Sequence, residues 1–278
     1  MATPRNHSVL KAFTILKSFR HPGEWVTSSE ISRRAKLPEA SGYRLIQTLE
    51  EIGAVVRGER GRYRPGLLLM SLSQNVAVDD CLREAAREIM SEMSIRLNVT
   101  AHLGRLDNGM VTYIAKFSTA ESCQTHTRLG AQLEPYSSGL GKVLLSSLPQ
   151  SELDNFILEG ELVALTPHTI TDSAALMAEL TNVRANGYAL DDGESRMDIS
   201  CVAVPVQDGE GRTVASMSVT ERPENMTPAR QALLREALLE AAAALGRKAF
   251  PKGSTLMERH AMQSQKKEEK NAAASPAK

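Results

Sequence analysis

The chain has 278 residues, 42% hydrophobic and 24% charged, so it is long enough for about two globular domains and is not wholly disordered. No stretch approaches the ~18 consecutive apolar residues of a membrane-spanning helix, and the opening MATPRNHSVLK lacks the apolar core of a signal peptide. Three widely separated cysteines give neither a disulfide framework nor zinc-ligand spacing, so we expect a cytoplasmic protein without metal or cofactor.

The net charge is zero, but the charges are unevenly distributed along the chain. Residues 1–78 contain 12 Lys and Arg against 6 Asp and Glu, whereas residues 79–250 contain 15 against 24. A basic first part joined to an acidic body is typical of a nucleic-acid-binding domain attached to a domain with another role. Chance clustering of charges is the alternative, so further evidence has to come from the motifs.

Residues 1–66 are predicted to form a winged helix-turn-helix domain that is mostly α-helical. Apolar residues recur at roughly helical spacing over 9–19, and a short capped helix follows over about 27–36. A longer helix then runs from Pro38 to the stop at Gly53. Two helices joined by a tight turn, the second one longer, form the helix-turn-helix pattern.

The wing is the short hairpin predicted after these helices, with strands over 54–57 and 62–64. Alternate side chains on a strand share a face, so Arg62 and Arg64 project together while Tyr63 turns inward. Flexible cations of this kind neutralise phosphates, which favours binding to double-stranded DNA over an ordinary solvated hairpin. Four arginines lie within eight residues of this hairpin: Arg57, Arg60, Arg62 and Arg64.

The longer helix is expected to insert its first turns into the major groove of DNA, where base edges are distinguishable. Tyr43 and the aliphatic residues after it are interpreted as core, so that Arg44 could read guanine or hold a phosphate, and Gln47 could pair with adenine. Gly42 either allows close approach of the backbone or is a tolerated helix glycine. The predicted DNA contacts are Glu39, Ser41, Arg44 and Gln47 on this helix, Arg33 and Arg34 before it, and Arg57, Arg62 and Arg64 in the wing.

Two segments flank the predicted second domain. Residues 67–78 (LLLMSLSQNVAV) are dense in apolar positions and are predicted as a linker helix whose exposed face could pair with a second copy. Residues 251–278 are mostly polar and charged, and we interpret them as a disordered tail.

Residues 79–250 are predicted as an α+β domain built on an antiparallel sheet. One hairpin spans 99–117 and turns at Asn108-Gly109, the favoured pair where both turn residues need a positive φ. A second hairpin spans 199–219, and the polar segment 123–129 is a candidate third strand. Helices are expected from 79 onward and over 138–148, 151–159, 172–186 and 227–249.

The chain resembles the IclR-type bacterial transcriptional regulators over about residues 7–248. In the first domain the resemblance lies in LKAFTILKSF, in SSEISRRAKLPEASGYRLIQTLEEIGAV and in Tyr63-Arg64-Pro65-Gly66. In the second it lies in SGLGK (138–142), GYALDDGE (187–194) and CVAVPV (201–206). Pro65 stands where an aliphatic residue is more common, and Asp198 stands where the family usually has glycine.

This resemblance implies a ligand-responsive regulator, acting as repressor or activator, that is a homodimer or homotetramer. Its winged helix binds operator DNA, and its GAF-like α+β domain binds a small-molecule effector, which we expect to be a carboxylate or an aromatic acid. By motif position the resemblance implies that the effector contacts Gly139, Leu140, Asp191, Cys201, Ser218 and Thr220.

The residue types at these positions agree in part with an effector pocket. Gly139 and Leu140 open a helix, where free N–H groups and the positive dipole end favour a carboxylate. Ser218 and Thr220 are two apart on a strand, so both hydroxyls face one side. Asp191 suits a ligand hydroxyl, or is protonated beside the ligand. Each of these residues would also serve a purely structural role.

An enzymatic second domain and a DNA-binding protein without a ligand are the alternative functions. Gly139-x-Gly141-Lys142 lacks the spacing of a phosphate-binding P-loop. Cys201 could form a nucleophile pair with a histidine, and the DDGE segment at 191–194 could bind a hard metal, but isolated residues of this kind are more often structural. We therefore expect a protein that is not an enzyme. The histidines considered for the pair are His102, His126 and His168.

Overall fold

The computed structural model describes residues 6–21 and 23–251, which divide into two compact units between Ala77 and Val78. Within these ranges no helix combines the length and the apolar character needed to cross a bilayer. The tail predicted over 251–278 lies outside the described residues after Pro251.

The first unit is a helical domain with a small antiparallel sheet, in the strand order β1-β3-β2. Its core consists of aliphatic residues from the helices and from β1 and β2, together with Tyr63, as the alternation in the wing predicts. The short strand β1, which the sequence pattern does not indicate, completes this sheet by pairing with β3. The elements are α1 (His7–Leu16), β1 (Val26–Thr27), α2 (Ser28–Arg34), α3 (Glu39–Glu51), β2 (Val55–Arg57), β3 (Arg62–Pro65) and α4 (Leu67–Ser73).

Close packing of α2 against α3 explains the glycine within α3. A Cβ atom at Gly42 would lie 2.1 Å from Ser32 Oγ, which is far inside van der Waals contact. Gly42 is buried in this helix–helix interface. Gly42 therefore allows α2 of the same domain to approach α3 closely.

Two helices are shorter than the sequence predicts. The first ends at Leu16, although the helical spacing of apolar residues continues to Phe19. The predicted linker helix over 67–78 is wrong in extent, because α4 ends at Ser73 and residues 74–77 are not helical. Asn and Val are weak helix formers, which accounts for an end within SQNVAV.

The second unit is α+β, as predicted, with an antiparallel sheet in the order β6-β5-β4-β9-β8-β7. The hairpin between β4 and β5 turns at Asn108 and Gly109 with φ of 49° and 79°, as the Asn-Gly pair predicts. The elements are α5 (Val78–Leu97), β4 (Thr100–Asp107), β5 (Met110–Phe117), β6 (Gln132–Leu133), α6 (Gly139–Ser146), α7 (Gln150–Glu159), α8 (Ser173–Asn186), β7 (Ala189–Asp192), β8 (Ser200–Gln207), β9 (Thr213–Glu221) and α9 (Pro228–Ala249).

Both faces of this sheet are covered by helices. On one face α5 and α9 pack against the sheet and contact side chains such as Val202 and Val219. On the opposite face α6 and α8 pack against Ala203 and its neighbours. Because side chains alternate along a strand, Cys201 on β8 and Ser218 and Thr220 on β9 point to the α6 face.

The predicted strand over 123–129 is wrong, because this segment is irregular. Side chains hold it against the sheet in place of a backbone ladder. Thr100 Oγ1 donates to the Cys123 carbonyl oxygen at 2.6 Å, and Lys116 Nζ donates to the carbonyl oxygen of Thr125 at 2.6 Å. The edge strands are instead β6, which pairs with β5, and β7, which the sequence analysis did not identify.

Candidate nucleic-acid interface and ligand pocket

The outward face of α3 carries Arg44 and Gln47, both exposed, and Ser41, which is half-buried. Tyr43 belongs to this face as well, and its interpretation as a core residue is wrong: it is 39% exposed. Gln47 Nε2 donates to the Tyr43 hydroxyl at 3.2 Å, which places the two side chains together one turn apart. The face therefore offers a cation, an amide and a phenol.

The other helix residues predicted to contact DNA already have partners inside the unit. Ser29 Oγ donates to the Glu39 carboxylate. Arg33 is bidentate to Glu30, and hydrogen bonds from Arg33 and then Arg34 lower the pKa of Glu30 to about 2. The Arg33 side chain remains exposed.

Arg34 is held more tightly than its neighbour. Its guanidinium bonds Glu30 at 2.8 Å, Glu24 at 3.1 Å and the Ser18 carbonyl oxygen at 3.1 Å, and the side chain is only 16% exposed. This geometry ties α2 to the segment after α1. Arg34, which the sequence analysis counts among the predicted DNA contacts, is thus placed to stabilise the domain.

The wing presents exposed arginines around an aromatic support. The Arg64 guanidinium carbon lies 4.8 Å from the centroid of the Trp25 ring, within cation–π range. A Cβ atom at Gly58 would lie 2.3 Å from the same ring, so only glycine admits the ring against the backbone there. Trp25, which the sequence analysis did not single out, thereby orients Arg64. Arg57, Arg62 and Arg64 are all exposed, as predicted.

In the second unit, a pocket of about 210 Å³ lies between the start of α6, the polar ends of β4, β8 and β9, and the segment 125–133. This volume is below the roughly 300–1,000 Å³ of drug-sized ligand sites and suits a compact ligand. All the residues that the resemblance assigns to the effector line it: Gly139, Leu140, Asp191, Cys201, Ser218 and Thr220.

The N-terminus of α6 forms one wall of the pocket. Ser138 caps this helix by accepting the Gly141 N–H on its Oγ at 3.1 Å. Within the described part of the chain, the N–H groups of Gly139 and Leu140 have no hydrogen-bond acceptor. A Cβ at Gly139 would come 3.2 Å from the Ala203 side chain, so the glycine also keeps α6 close to β8.

Asp191 is almost fully buried, and it organises the loop that follows β7. Its Oδ1 accepts the N–H of Glu194 at 2.7 Å and of Ser195 at 3.3 Å, and its Oδ2 accepts the Ser195 hydroxyl at 2.6 Å. Burial raises the pKa of Asp191, against the opposing effect of these hydrogen bonds. The carboxylate therefore sets the shape of the pocket wall through residues 194–195.

Cys201 is a poor nucleophile in this environment. Its Sγ lies 3.2 Å from Thr220 Oγ1, and burial together with the nearby Asp191 raises the pKa of the thiol well above its usual value. A raised pKa reduces the thiolate fraction at neutral pH, and the thiolate is the reactive form. The thiol acts as a small polar part of the wall.

His102 and its neighbours are the pocket residues that sequence reasoning missed. His102 lies opposite Ser218 in the β4–β9 register, with Nε2 2.7 Å from Thr127 Oγ1. Burial lowers its pKa to about 3, so the imidazole is neutral near pH 7. Tyr113 packs beside it at 5.1 Å between ring centroids. Thr100 and His102 are two apart on β4 and therefore share a face of the sheet, opposite Thr220 and Ser218 on β9. This spacing is the sequence signal that places His102 on the α6 face.

A buried ion pair lies behind the α6 wall. Lys142 Nζ bonds Glu194 at 2.6 Å and Glu179 at 3.2 Å; Lys142 and Glu194 are shielded from solvent, whereas Glu179 is half-buried. Burial raises the pKa of Glu194, and the lysine opposes this shift. The pair connects α6 to the loop that Asp191 organises. Lys142 is thus a structural cation and not a phosphate ligand.

The DDGE segment does not form a metal site. Among the described residues there is no cluster of three His, Cys, Asp or Glu arranged to hold a metal ion. His168 Nδ1 instead lies 2.9 Å from the Asp192 carbonyl oxygen, and Asp191 bonds its own loop. Asp191 and Asp192 are the last residues of β7, and Gly193 and Glu194 begin the bend that follows it.

Comparison with known proteins gives a consistent family assignment for both units. A family described as IclR helix-turn-helix domain matches residues 8–59, and one described as bacterial transcriptional regulator IclR C-terminal matches residues 74–247. The HTH-type transcriptional regulator XynR of Escherichia coli is 33% identical over 246 residues, covering 88% of this chain and 97% of the relative.

Solved structures agree with this assignment. The IclR protein of Thermotoga maritima is 31% identical with a TM-score of 0.57, and the match covers 87% of this chain and 98% of that one. An IclR homologue from Microbacterium hydrocarbonoxydans, solved in complex with 4-hydroxybenzoate, is 25% identical with a TM-score of 0.56 and covers 86% and 98%.

Proposed function

The chain belongs to the IclR family of bacterial transcriptional regulators, with a helix-turn-helix domain and a C-terminal effector domain, and on this premise we propose how it reads DNA and which ligand class it senses. In this proposal α3 enters the major groove of operator DNA, the wing contacts the backbone, and a small acid binds in the pocket beside α6. The relatives are transcriptional regulators, so the enzymatic alternative is set aside.

The DNA contacts that we propose divide into base readers and phosphate binders. Arg44 and Gln47 are exposed on the outward face of α3, where bidentate contacts to guanine and adenine are sterically open. Tyr43 joins them through its bond to Gln47. The exposed wing arginines and Arg33 bind phosphates, whereas Arg34 is excluded by its internal ion pairs.

The ligand that we propose is a compact carboxylate, with aromatic acids included. Its carboxylate accepts the N–H groups of Gly139 and Leu140, which have no acceptor within the described residues. Ser218 and Thr220 bond polar groups of the ligand. The 4-hydroxybenzoate complex of the Microbacterium homologue supports a ligand of this size and charge.

One observation carries the ligand proposal: residues from α6, β7, β8 and β9, separated by up to about eighty positions in sequence, line a single pocket. If these residues had only a structural role, we would expect them to fill the cavity of about 210 Å³ and to pair the N–H groups at its wall.

A thermal-shift screen of small carboxylates, each beside its neutral amide, tests the ligand proposal on the full chain. A binder at a hundredfold excess over its Kd stabilises the folded state by about 2.7 kcal/mol, which raises the Tm measurably. The hit should also change operator affinity, and Ser218→Ala should weaken its binding. If no acid in the panel raises the Tm, the alternative of a regulator without a ligand is favoured.

Operator titrations with Arg44→Ala and Arg62→Ala test the DNA proposal, after selection of a preferred duplex from a random pool. Arg44→Ala should cost about 1–3 kcal/mol and relax preference at one base position. Arg62→Ala should weaken all sequences alike and reduce the salt slope by about one. Arg34→Ala serves as the contrast, because it should lower domain stability. Unchanged operator affinity in Arg44→Ala at matched salt would refute the assignment of this reader.

We also propose that the protein is a cytoplasmic homodimer or tetramer, as binding to operator DNA requires access to the chromosome. The apolar face of α4 is the proposed dimer contact in the first unit. Leu67 and Met70 on this helix are 80% and 62% exposed, whereas Leu68 and Leu69 pack into the core. Residues of this size on an exposed helix face favour pairing with a second copy.

A further inference from the structure

Arg196 lies at the mouth of the pocket, paired with a carboxylate of its own loop. The guanidinium is bidentate to Asp198, with Nε–Oδ1 2.9 Å and Nη2–Oδ2 2.6 Å. Both side chains reach solvent, at 42% and 64% exposure, yet Arg196 also lines the cavity. A cation at this position faces both the ligand space and the water outside it.

The position of Arg196 is fixed by the wall of the pocket itself. Asp191 accepts the N–H groups of Glu194 and Ser195, the two residues that precede Arg196. The N–H of Ile199 bonds the Arg196 carbonyl oxygen at 3.3 Å, which closes the turn that places Asp198 beside the arginine. The loop therefore presents the arginine to the pocket with its partner attached.

Two places along the pocket favour anions, and the Asp191 carboxylate that also lines it is engaged by the N–H groups and hydroxyl of its own loop. At the inner wall, Gly139 and Leu140 offer N–H groups at the positive end of α6. At the mouth, Arg196 carries the only permanent positive charge among the described residues that line the cavity. The buried His102 adds none, because its pKa is lowered to about 3.

Asp198 is a competitor that a ligand can displace. Ion pairs between exposed side chains change an equilibrium constant by at most about fivefold, because water solvates the separated groups well. A ligand carboxylate presents the same two oxygens to the arginine fork, and it is already held in place by its other contacts. Asp198 then returns to water at little cost.

We propose that the effector is acidic at both ends, a dicarboxylate whose outer carboxylate replaces Asp198 on Arg196. The proposal rests on the proposed function, since the inner carboxylate occupies the site assigned at α6. Arg196 is then a specificity-determining residue that distinguishes dicarboxylates from monocarboxylates, and Asp198 sets how strongly they are distinguished.

The test compares each diacid with its monoamide, which has nearly the same shape but lacks the outer charge. The probes are succinate and succinamate, glutarate and glutaramate, and terephthalate and 4-carbamoylbenzoate, titrated by calorimetry or ligand-observed NMR into the full chain. The variants are Arg196→Gln and Asp198→Asn. Glu88→Gln is the control, because it removes an exposed, ion-paired carboxylate that does not line the pocket.

At least one diacid should bind more tightly than its monoamide, by about tenfold, the range of a charge-assisted hydrogen bond at a half-exposed site. Asp198→Asn should widen this preference by about two- to fivefold, and Arg196→Gln should abolish it, with the diacid losing more affinity than the monoamide. Glu88→Gln should leave the ratio of the two affinities as in the unmodified chain.

Three results overturn the inference, and they are distinguishable. If monoamides bind and diacids bind no better, the ligand is acidic at one end only and the proposed function stands. If diacids are preferred but Arg196→Gln keeps this preference, Arg196 does not recognise the outer carboxylate and the proposed function again stands. If neither diacids nor monoamides bind the unmodified chain or Asp198→Asn, the carboxylate site at α6 fails together with the inference.

Discussion

His102 shows how burial fixes the charge of one pocket residue. Its pKa is lowered from the ordinary 6.5 to about 3, primarily by burial and secondarily by the charge of Lys116. The neutral ring keeps Nε2 close to Thr127 and Thr125. A protonated ring would place a second charge next to Lys116 in a shielded site. The irregular segment over 123–129 thus depends on an uncharged histidine.

This shift predicts a specific acid sensitivity. The unfolded chain takes up a proton on His102 below about pH 6.5, whereas the folded chain does so only near pH 3. The stabilisation is therefore complete above pH 6.5 and is lost as the pH falls toward 3. In urea titrations, His102→Gln should reduce the fall in the free energy of unfolding over this window by up to about 1.4 kcal/mol per pH unit.

The control for this measurement is His168→Gln, which removes an exposed histidine. The raised pKa values of Asp191 and Glu194 change stability in the opposite sense, but they are present in each protein and cancel in the difference. Equal pH slopes for His102→Gln and the unmodified chain would show that folding does not lower the pKa of His102.

Gly42 makes a second prediction at the level of one atom. Alanine is normally favoured over glycine in a helix by about 1 kcal/mol, but here its Cβ would lie 2.1 Å from Ser32 Oγ. Gly42→Ala should therefore destabilise the first unit by about 1–3 kcal/mol in chemical denaturation. Adding Ser32→Ala removes the clashing oxygen but leaves the Cβ of residue 32 at 2.9 Å, so it should recover only part of this loss, whereas Ser32→Ala alone should not stabilise. Additive effects of the two changes would contradict the clash.

At the scale of elements, α4 has two distinct faces. Leu68 and Leu69 pack into the core of the first unit, while Leu67, Met70 and Leu72 are exposed. A seven-residue helix in water gains little from its own hydrogen bonds, so its stability comes from packing on the inner face. The outer face does not contribute to that packing and is available for self-association.

The double variant Leu67→Lys and Met70→Lys should weaken self-association of the full chain, because each substitution would bury a charge in the proposed contact. Sedimentation velocity should show a shift toward smaller species, with the circular dichroism spectrum unchanged. Leu158→Lys, which replaces an equally exposed leucine on α7, is the matched control. A double variant that sediments like the unmodified chain would remove α4 from the interface.

At the scale of the whole molecule, the connection between the two units decides whether ligand and operator communicate. A ligand changes DNA affinity only through its differential affinity for two arrangements of the protein, typically worth about 1–3 kcal/mol. We propose that α4 and the non-helical residues 74–77 transmit this difference. They are the covalent path from the DNA-binding unit to the effector unit.

Inserting Gly-Ser after Val76 should uncouple the two binding events. The operator Kd without ligand, and the ligand Kd without DNA, should each stay within about twofold of the unmodified chain, because neither site is changed. Fluorescence anisotropy with a ligand from the thermal-shift screen should show operator affinity no longer responding to saturating ligand. A full ligand response in the insertion variant would exclude this segment as the path.

The sequence by itself determined the helices and hairpins whose ends are local signals. Asp172 caps α8 by accepting the Ala175 N–H at 2.8 Å, Gly187 ends it in the left-handed region, and Asn108-Gly109 forms the predicted turn. Such signals depend on neighbours within four residues, so a single sequence is enough to recognise them. The family resemblance likewise identified residues that line the pocket, because it assigns them by their position in sequence motifs.

Only the tertiary structure decided which side chains have partners. It showed that Tyr43 is exposed, that Arg34 is engaged inside its domain, and that Arg196 is bidentate to Asp198. The segment over 123–129 has strand-like residues but is held by side chains from β4 and β5. Such partners lie on other elements of the fold. The periodicity of a sequence does not determine the tertiary contacts of a side chain.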